Sequence, residues 1–295
     1  MRRIELPITG ELAGIKVDTL LKKHLGLSGT VVRRVKWLPE GILVDGRRVN
    51  TRFCPAEGQS LSVQLSDPER RSGILPAPGP LDIVYEDGDV IVFNKAPGLS
   101  VHPGPGHFSD TLGNFLLYYY DSTGPDCDFH PVHRLDRGTS GLMVAAKHPH
   151  AQEVLKNQLH TEDFRREYLA VCEGVPSPAA ALIDAPLGPK EDSLVEQEVR
   201  EDGKSARTHY RTLSVHHGRT LLRLKLDTGR THQIRVHMAH LGHPLTGDFL
   251  YGVEDHDLIP RPALHSAYLS FRHPITAERL EFSLPLPEDM AHLLK

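Results

Sequence analysis

The residues best suited to do chemistry lie near the middle of the chain, in the stretch VHRLDRGTSGLMVAAK, residues 132–147. One acid, Asp136, stands between Arg134 and Arg137, ahead of a Gly-Thr-Ser-Gly turn and an apolar run. A carboxylate flanked by cations stays ionised at neutral pH, which suits a nucleophile or a general base rather than a general acid. The same residues would also make a structural Asp–Arg pair at a turn, and these residue types alone do not choose between the two. Gly138 and Gly141 free the backbone, and Thr139 and Ser140 offer hydroxyls to local backbone or to a ligand. Histidine is the other candidate chemistry. Nineteen are present, and His232, His237, His240 and His243 fall within twelve residues. His237 and His240 would share a helix face, as metal ligands do, but no His-Glu-x-x-His is present and Asp248 is the only nearby acid. No metal is expected.

The spelling of the central stretch narrows the choice. HRLDRGTSG resembles the H-R-L-D-x-x-T-S-G motif of the RluA-type pseudouridine synthases, with every specified letter present. VIVFNKAPGLSVHP resembles that family's first strand pair and K-P-x-G-L-x-V-H-P segment, with Ala96 inserted before Pro97. REYLAVCEG is similar to its K-x-Y-x-A-x-x-x-G strand, with Arg166 where lysine is usual. GKSARTHY, LDTGRTHQIRVHMAHLGHPLTGD and LHSAYLSFRHP follow in the family's order, the last departing at Ser266. The likeness spans roughly residues 82 to 290.

The resemblance implies an RNA-modifying isomerase that cleaves the N-glycosidic bond of a target uridine, rotates the uracil and rejoins it through carbon 5. It implies Asp136 as the catalytic aspartate, Tyr168 as the ring that stacks on the base, and Arg235 as the charge partner that keeps Asp136 an anion. Whether the aspartate adds to the sugar, removes its 2′ proton or attacks the base stays open. Arg134 is implied to enter the duplex where the flipped nucleotide leaves. His133, Thr139, Arg230, Thr231 and Gln233 are further expected RNA contacts, the last three at a helix start whose N–H groups favour phosphate. No organic cofactor is implied. Two other readings compete: a catalytically inactive RNA-binding or ribosome-assembly protein, and an aspartate-nucleophile hydrolase. Intact Asp136, Tyr168 and Arg235 oppose the first, and the lack of a suitably spaced second acid opposes the second.

The elements that must position these residues are legible as patterns. GLMVAAK, REYLAVCEG and the alternating RTLLRLKL read as strands; DTLGNFLLYYY, with Asp110 as its cap, PHAQEVLKNQL and GRTHQIRVHMAHLG read as helices. LDIVYEDGDVIVFNK reads as two strands about a turn. The mixture lacks regular strand–helix–strand spacing, so the expected fold class is α+β. It should have a mixed, mainly antiparallel central sheet and flanking helices, the pseudouridine synthase catalytic fold, plus a small N-terminal α/β domain. The acidic run KEDSLVEQEVRED reads as a solvated hairpin turned away from substrate.

Residues 1–66 hold 11 Lys and Arg against 6 Asp and Glu, whereas the remainder holds 23 against 32. This asymmetry points to a basic module on a more acidic body. In the module, helix SGTVVRRVKWL opens at Ser28, and GILVDGRRV gives a hairpin about Asp45-Gly46. Arg33, Arg34, Arg47 and Arg48 are its candidate phosphate contacts. The pattern resembles the alpha-L RNA-binding domain first known from ribosomal protein S-four. The expected division is therefore module 1–66, a Pro- and Gly-rich linker 67–80 and a catalytic domain 81–295.

The expected partner is structured RNA, with large-subunit rRNA favoured over tRNA, and the expected state is a monomer. The three cysteines form no C-x-x-C pair, no apolar run has membrane length, and no apolar segment follows the N-terminal arginines. A cytoplasmic protein without a membrane partner is the corresponding expectation.

Overall fold

The computed structural model describes residues 2–66, 69–124, 127–159 and 161–295. Asp67 and Pro68, at the start of the expected linker, lie outside the described residues.

The N-terminal segment builds a sheet of its own from β1 (Arg3–Pro7), β2 (Ile42–Val44), β3 (Arg47–Arg48) and β4 (Ser60–Gln64), in the order β1-β4-β2-β3. Helix α1 (Val17–Thr19) runs into a π-helical turn, and α2 (Gly29–Val35) starts where the Ser28 side chain accepts the Val31 N–H. Val17, Leu20, Leu21, Val31, Val32 and Val35 meet Ile42, Val44, Leu61 and Val63 in a separate apolar core. Ile275, far along the chain, packs partly buried against it.

The body is one large sheet. Its strands are β5 (Ile83–Glu86), β6 (Val90–Lys95), β7 (His130–Pro131), β8 (Ser140–Ala146), β9 (Arg165–Glu173) and β10 (Ala180–Asp184). β13 (Arg207–His216), β14 (Arg219–Leu226), β15 (Leu264–Arg272) and β16 (Arg279–Ser283) complete it. The order is β10-β13-β14-β9-β15-β8-β6-β5, with β7 on β8 and β16 on β15. β8 and β15 run parallel, while the other pairings are antiparallel, so the α+β class with a mixed, mainly antiparallel sheet holds. β11 (Leu187–Pro189) and β12 (Gln197–Val199) form a separate hairpin.

All seven residues of β8 are buried, because its two faces feed two cores. Met143 and Ala145 join Leu116 and Tyr120 of α3 (Leu112–Thr123). Leu142, Val144 and Ala146 join Ala151 and Leu155 of α4 (Pro149–Gln158). Two shorter helices, α5 (Gln233–His240) and α6 (Glu288–His292), complete the body. Thr111, rather than the expected Asp110, caps α3 through a capping box with Asn114, because Asp110 is drawn outward to His107 at 2.6 Å.

Candidate active site

The site begins at the turn that feeds β8. The Thr139 N–H bonds the Asp136 carbonyl at 3.0 Å, closing a tight turn with Asp136 at its start. The loop after β6 holds that turn: Gly98 N–H donates to the Arg137 carbonyl at 2.8 Å, and Arg137 Nε returns a bond to the Gly98 carbonyl at 3.0 Å. Beneath it, Lys95 is almost wholly buried and its ammonium donates to the carbonyls of Ala96, Leu99 and Arg137 at 2.8, 2.9 and 3.2 Å. Burial pulls this ammonium down to about 7, with the Asp136 charge opposing the fall.

Gly141 explains why the motif ends in glycine. Its φ of +107° is a conformation L side chains rarely adopt, and a Cβ there would lie 2.3 Å from the Ser266 carbonyl oxygen. At this point β8 meets β15, with Ser266 opposite Gly141, so a side chain would part the strands and shift Asp136. Ser140 Oγ meets His265 Nδ1 at 2.8 Å, a second tie between the same strands.

Asp136 opens onto a cleft of about 290 Å³. The walls include Arg134, Leu135 and Thr139 from the motif, Arg166 and Tyr168 from β9, and Arg230, Thr231 and Ile234 near α5. Among the described residues lining it, Asp136 is the one acid. The Asp136 side chain is half-buried, with no hydrogen bond or ion pair among the described residues. Tyr168 presents a buried ring on the same face of β9 as Arg166, and burial raises its hydroxyl above the ordinary range. Arg134 is exposed, while Thr139 is buried. His133 sits deeper, edge-on to Phe164 at 5.8 Å, and desolvation followed by the charge of Arg166 keeps it neutral. The cleft thus offers one anionic group, one aromatic face and several cations around a space large enough for a base.

The family model described as RNA pseudouridylate synthase matches residues 89–240. The chain is 41% identical over 272 residues to the uncharacterized RNA pseudouridine synthase YjbO of Bacillus subtilis, covering 92% of this chain and 96% of that one. It is also 41% identical over 281 residues to the ribosomal large subunit pseudouridine synthase D of Vibrio cholerae, covering 88% and 85%. The chain belongs to the RNA pseudouridylate synthase family. Among solved structures, human RNA pseudouridylate synthase domain containing 1 superposes with a TM-score of 0.58 at 28% identity, over 71% of this chain and 86% of that one. The protein is therefore an RNA pseudouridine synthase, an isomerase by class.

Within the synthase, several sequence-based expectations need correcting. Arg235 was expected to pair with Asp136, yet Nε and Nη2 both engage Asp248 at 2.7 Å. Both partners are buried, and a buried guanidinium is best satisfied by a forked carboxylate at full contact. The rings of Phe249 and Tyr251 cover it at 5.5 and 5.1 Å, leaving Asp136 to act on Arg235 only through space. Gln233, an expected RNA contact, lines the cleft, but it is buried and its amide bonds within the fold. Its Oε1 accepts from Arg230 N–H and Thr228 Oγ1, and its Nε2 donates to the Arg207 carbonyl and Thr208 Oγ1. Arg230 and Thr231 lie in the exposed turn before α5 rather than on it.

Part of the acidic run, Gln197, Arg200 and Asp202, borders a cleft. Leu187, Gln197, Arg200 and Lys204 share a second cleft with Gly229, Arg230 and Thr231, next to the first. In the N-terminal segment, Arg33, Arg47 and Arg48 are exposed, whereas Arg34 is half-buried and lines a recess between α2 and α4 with Gln152 and Lys156.

Two of the clustered histidines have local partners. His237 meets Thr208 Oγ1 and the Ala185 carbonyl, and His232 meets the Tyr251 hydroxyl at 2.9 Å. The one grouping of His and carboxylates close enough to hold an ion, among the described residues, is Asp87, Asp89 and His273. Both Asp89 oxygens are already taken there by Arg2 at 2.8 Å. Sequence reasoning missed Lys95 and the structural role of Asp248. The one signal for Lys95 is its place in the VIVFNKAPGLSVHP segment of the resemblance.

Proposed function

We propose that this synthase isomerises a specific uridine in structured large-subunit rRNA, using Asp136 as the catalytic carboxylate. The observation that carries the reading is the Asp136 side chain itself: one acid, without a hydrogen bond or ion pair among the described residues and pinned by its backbone, in a cleft it shares with Arg134, Arg166 and Arg230. Groups kept without protein partners at the mouth of a cleft are available to a ligand. A glycosidase of the usual kind needs a second carboxylate across the bond, and none lines this cleft. Tyr168 would stack on the extruded uracil, and exposed Arg134 would fill the space it leaves. Large-subunit rRNA is favoured by the likeness to the ribosomal large subunit pseudouridine synthase of Vibrio cholerae.

The same proposal assigns residues 1–66 as an alpha-L-type RNA-binding module, 67–80 as linker and 81–295 as the catalytic domain. Support comes from the separate sheet and apolar core of the N-terminal segment and from exposed Arg33, Arg47 and Arg48. His133 and Thr139 shape the cleft, and Arg230 and Thr231 meet the RNA backbone at its rim.

Carbodiimide mapping of total RNA from a deletion strain and its parent tests the substrate assignment. Loss of one or a few large-subunit rRNA pseudouridines, restored by the wild-type chain but not by Asp136→Asn, is the expected result. Loss confined to tRNA would overturn the rRNA assignment, and restoration by the variant would overturn Asp136.

A further inference from the structure

We propose that Arg166 anchors a backbone phosphate of the nucleotide drawn into the cleft, an assignment that rests on the cleft being the RNA-binding active site.

Arg166 is only 8% exposed, and its guanidinium has no hydrogen bond or ion pair among the described residues. Other buried arginines in the body are differently placed. Arg235 is forked onto Asp248, and Arg261 is forked onto Asp289 at 2.7 and 2.9 Å. None of the Arg166 nitrogens is a fully buried, unpartnered atom, so the body of the side chain is buried while the guanidinium reaches the cleft with its hydrogen-bonding capacity unused.

The surroundings say what kind of ligand. Arg166 lies over the Phe164 ring, with the cation 5.7 Å from its centre, and this aromatic floor holds the guanidinium plane while contributing no anion. Its open side faces the cleft shared with Arg134, Arg230 and Asp136. Next to it, Gly229 has no side chain. A Cβ there would sit 3.7 Å from both terminal nitrogens, so glycine leaves the two-pronged edge uncovered. A planar fork presented edge-on matches two oxygens of a phosphate. Uracil, being neutral, would leave the charge unmatched. Asp136 is the alternative partner, but its charge already lies in the fields of Lys95, Arg235 and His232.

β9 sets the division of labour. Arg166 and Tyr168 are two residues apart on one face, so the strand places a phosphate grip and a base-stacking ring side by side. A nucleotide turned into the cleft would be held at its backbone by the first and at its base by the second.

The test is a cycle between protein and RNA. The probe is a hairpin RNA carrying the mapped uridine, with each flanking phosphate replaced in turn by a neutral methylphosphonate. Initial rate of pseudouridine formation and equilibrium affinity are both measured, for wild type, Arg166→Gln and Arg166→Lys. Arg166→Gln should lower kcat/KM on unmodified RNA about 10- to 100-fold, with Arg166→Lys in between, since lysine keeps charge but not the fork. At one phosphate, neutralisation should cost wild type a similar factor and cost Arg166→Gln nothing more. Losses that multiply at every flanking phosphate, or an Arg166→Gln enzyme equal to wild type, would overturn the assignment. Arg166→Met separates binding from a structural role: it should melt at or above the wild-type temperature, and a lower melting temperature would count against the proposal. An inactive wild type would speak against the catalytic reading, while the affinity cycle would still report on Arg166.

Discussion

Two charged clusters in this molecule are built in opposite ways. At the junction between the N-terminal segment and the body, Asp89 accepts two bonds from Arg2 at 2.8 Å and one from His148 at 2.9 Å, with His273 and Asp87 beside it. The Ala151 N–H donates to His148 Nδ1, so Nε2 carries the proton given to Asp89. Burial opposes the Asp89 charge, but the bonds from His148 and Arg2 outweigh it and hold the carboxyl well below the usual range. In the cleft, by contrast, the Asp136 and Arg166 side chains have no hydrogen bond or ion pair among the described residues, and Arg166 rests only on the Phe164 ring. A satisfied buried network holds parts of a fold together, whereas charges left unsatisfied beside a cavity await something from outside.

The comparison breaks most sharply at Asp136. Asp136→Asn should lower turnover more than about 1,000-fold, yet leave unfolding free energy within about 0.5 kcal/mol, because no side-chain bond is lost. Carbodiimide mapping and urea titration of the same preparation read the two effects. A large loss of stability would mean that Asp136 has a structural partner.

The paired cluster should show the reverse. Asp89→Ala strands buried His148 and frees Arg2, and should cost about 2–4 kcal/mol in urea titration while the folded fraction keeps its turnover. The pH window follows from the sign. A carboxyl held below its unfolded value stabilises the fold above about pH 4 and loses that contribution as pH falls toward the folded pKa. Wild type should therefore lose stability below about pH 4 by more than Asp89→Ala does.

Lys95 lies between the two designs: it is buried, bonded to three carbonyls, and close to Asp136. Its folded pKa of about 7 is below the unfolded value, so the unfolded chain binds more protons between pH 7 and about 10. Stability from this group rises with pH across that window, by at most about 1.4 kcal/mol per pH unit. Lys95→Met should flatten the rise between pH 7 and 9 in denaturant titrations. An unchanged slope would show that Lys95 keeps its proton throughout.

The smallest effects belong to the exposed arginines of the N-terminal segment. Arg33→Gln or Arg47→Gln should weaken affinity for structured RNA a few-fold and reduce its dependence on salt by about one ion each. Salt-dependent filter binding checks this, and unchanged slopes would remove these residues from the RNA surface.

Much of this was legible before any fold was known. The apolar run of β8, the alternation of β14 and the Ser28 cap are local consequences of side-chain period and hydrogen-bonding capacity. The motif around Asp136, and Tyr168 at its place on β9, belong to the same kind of information. Residue type alone favours Asp110 as the cap of α3, whereas the extended backbone at Thr111 and the turn of Asp110 toward His107 put the cap one residue later.

What the chain by itself determined is which groups are present, and in which strands and turns. What only the tertiary structure decided is which charge meets which. Arg235 could pair with Asp136 or with Asp248 until α5 and the loop after it packed together, and contact energies fall steeply once partners separate. Arg166 looked like a conservative replacement for lysine in a strand. Only the closing of Phe164, Gly229 and the Asp136 turn about it left its stem buried and its guanidinium open to the cleft.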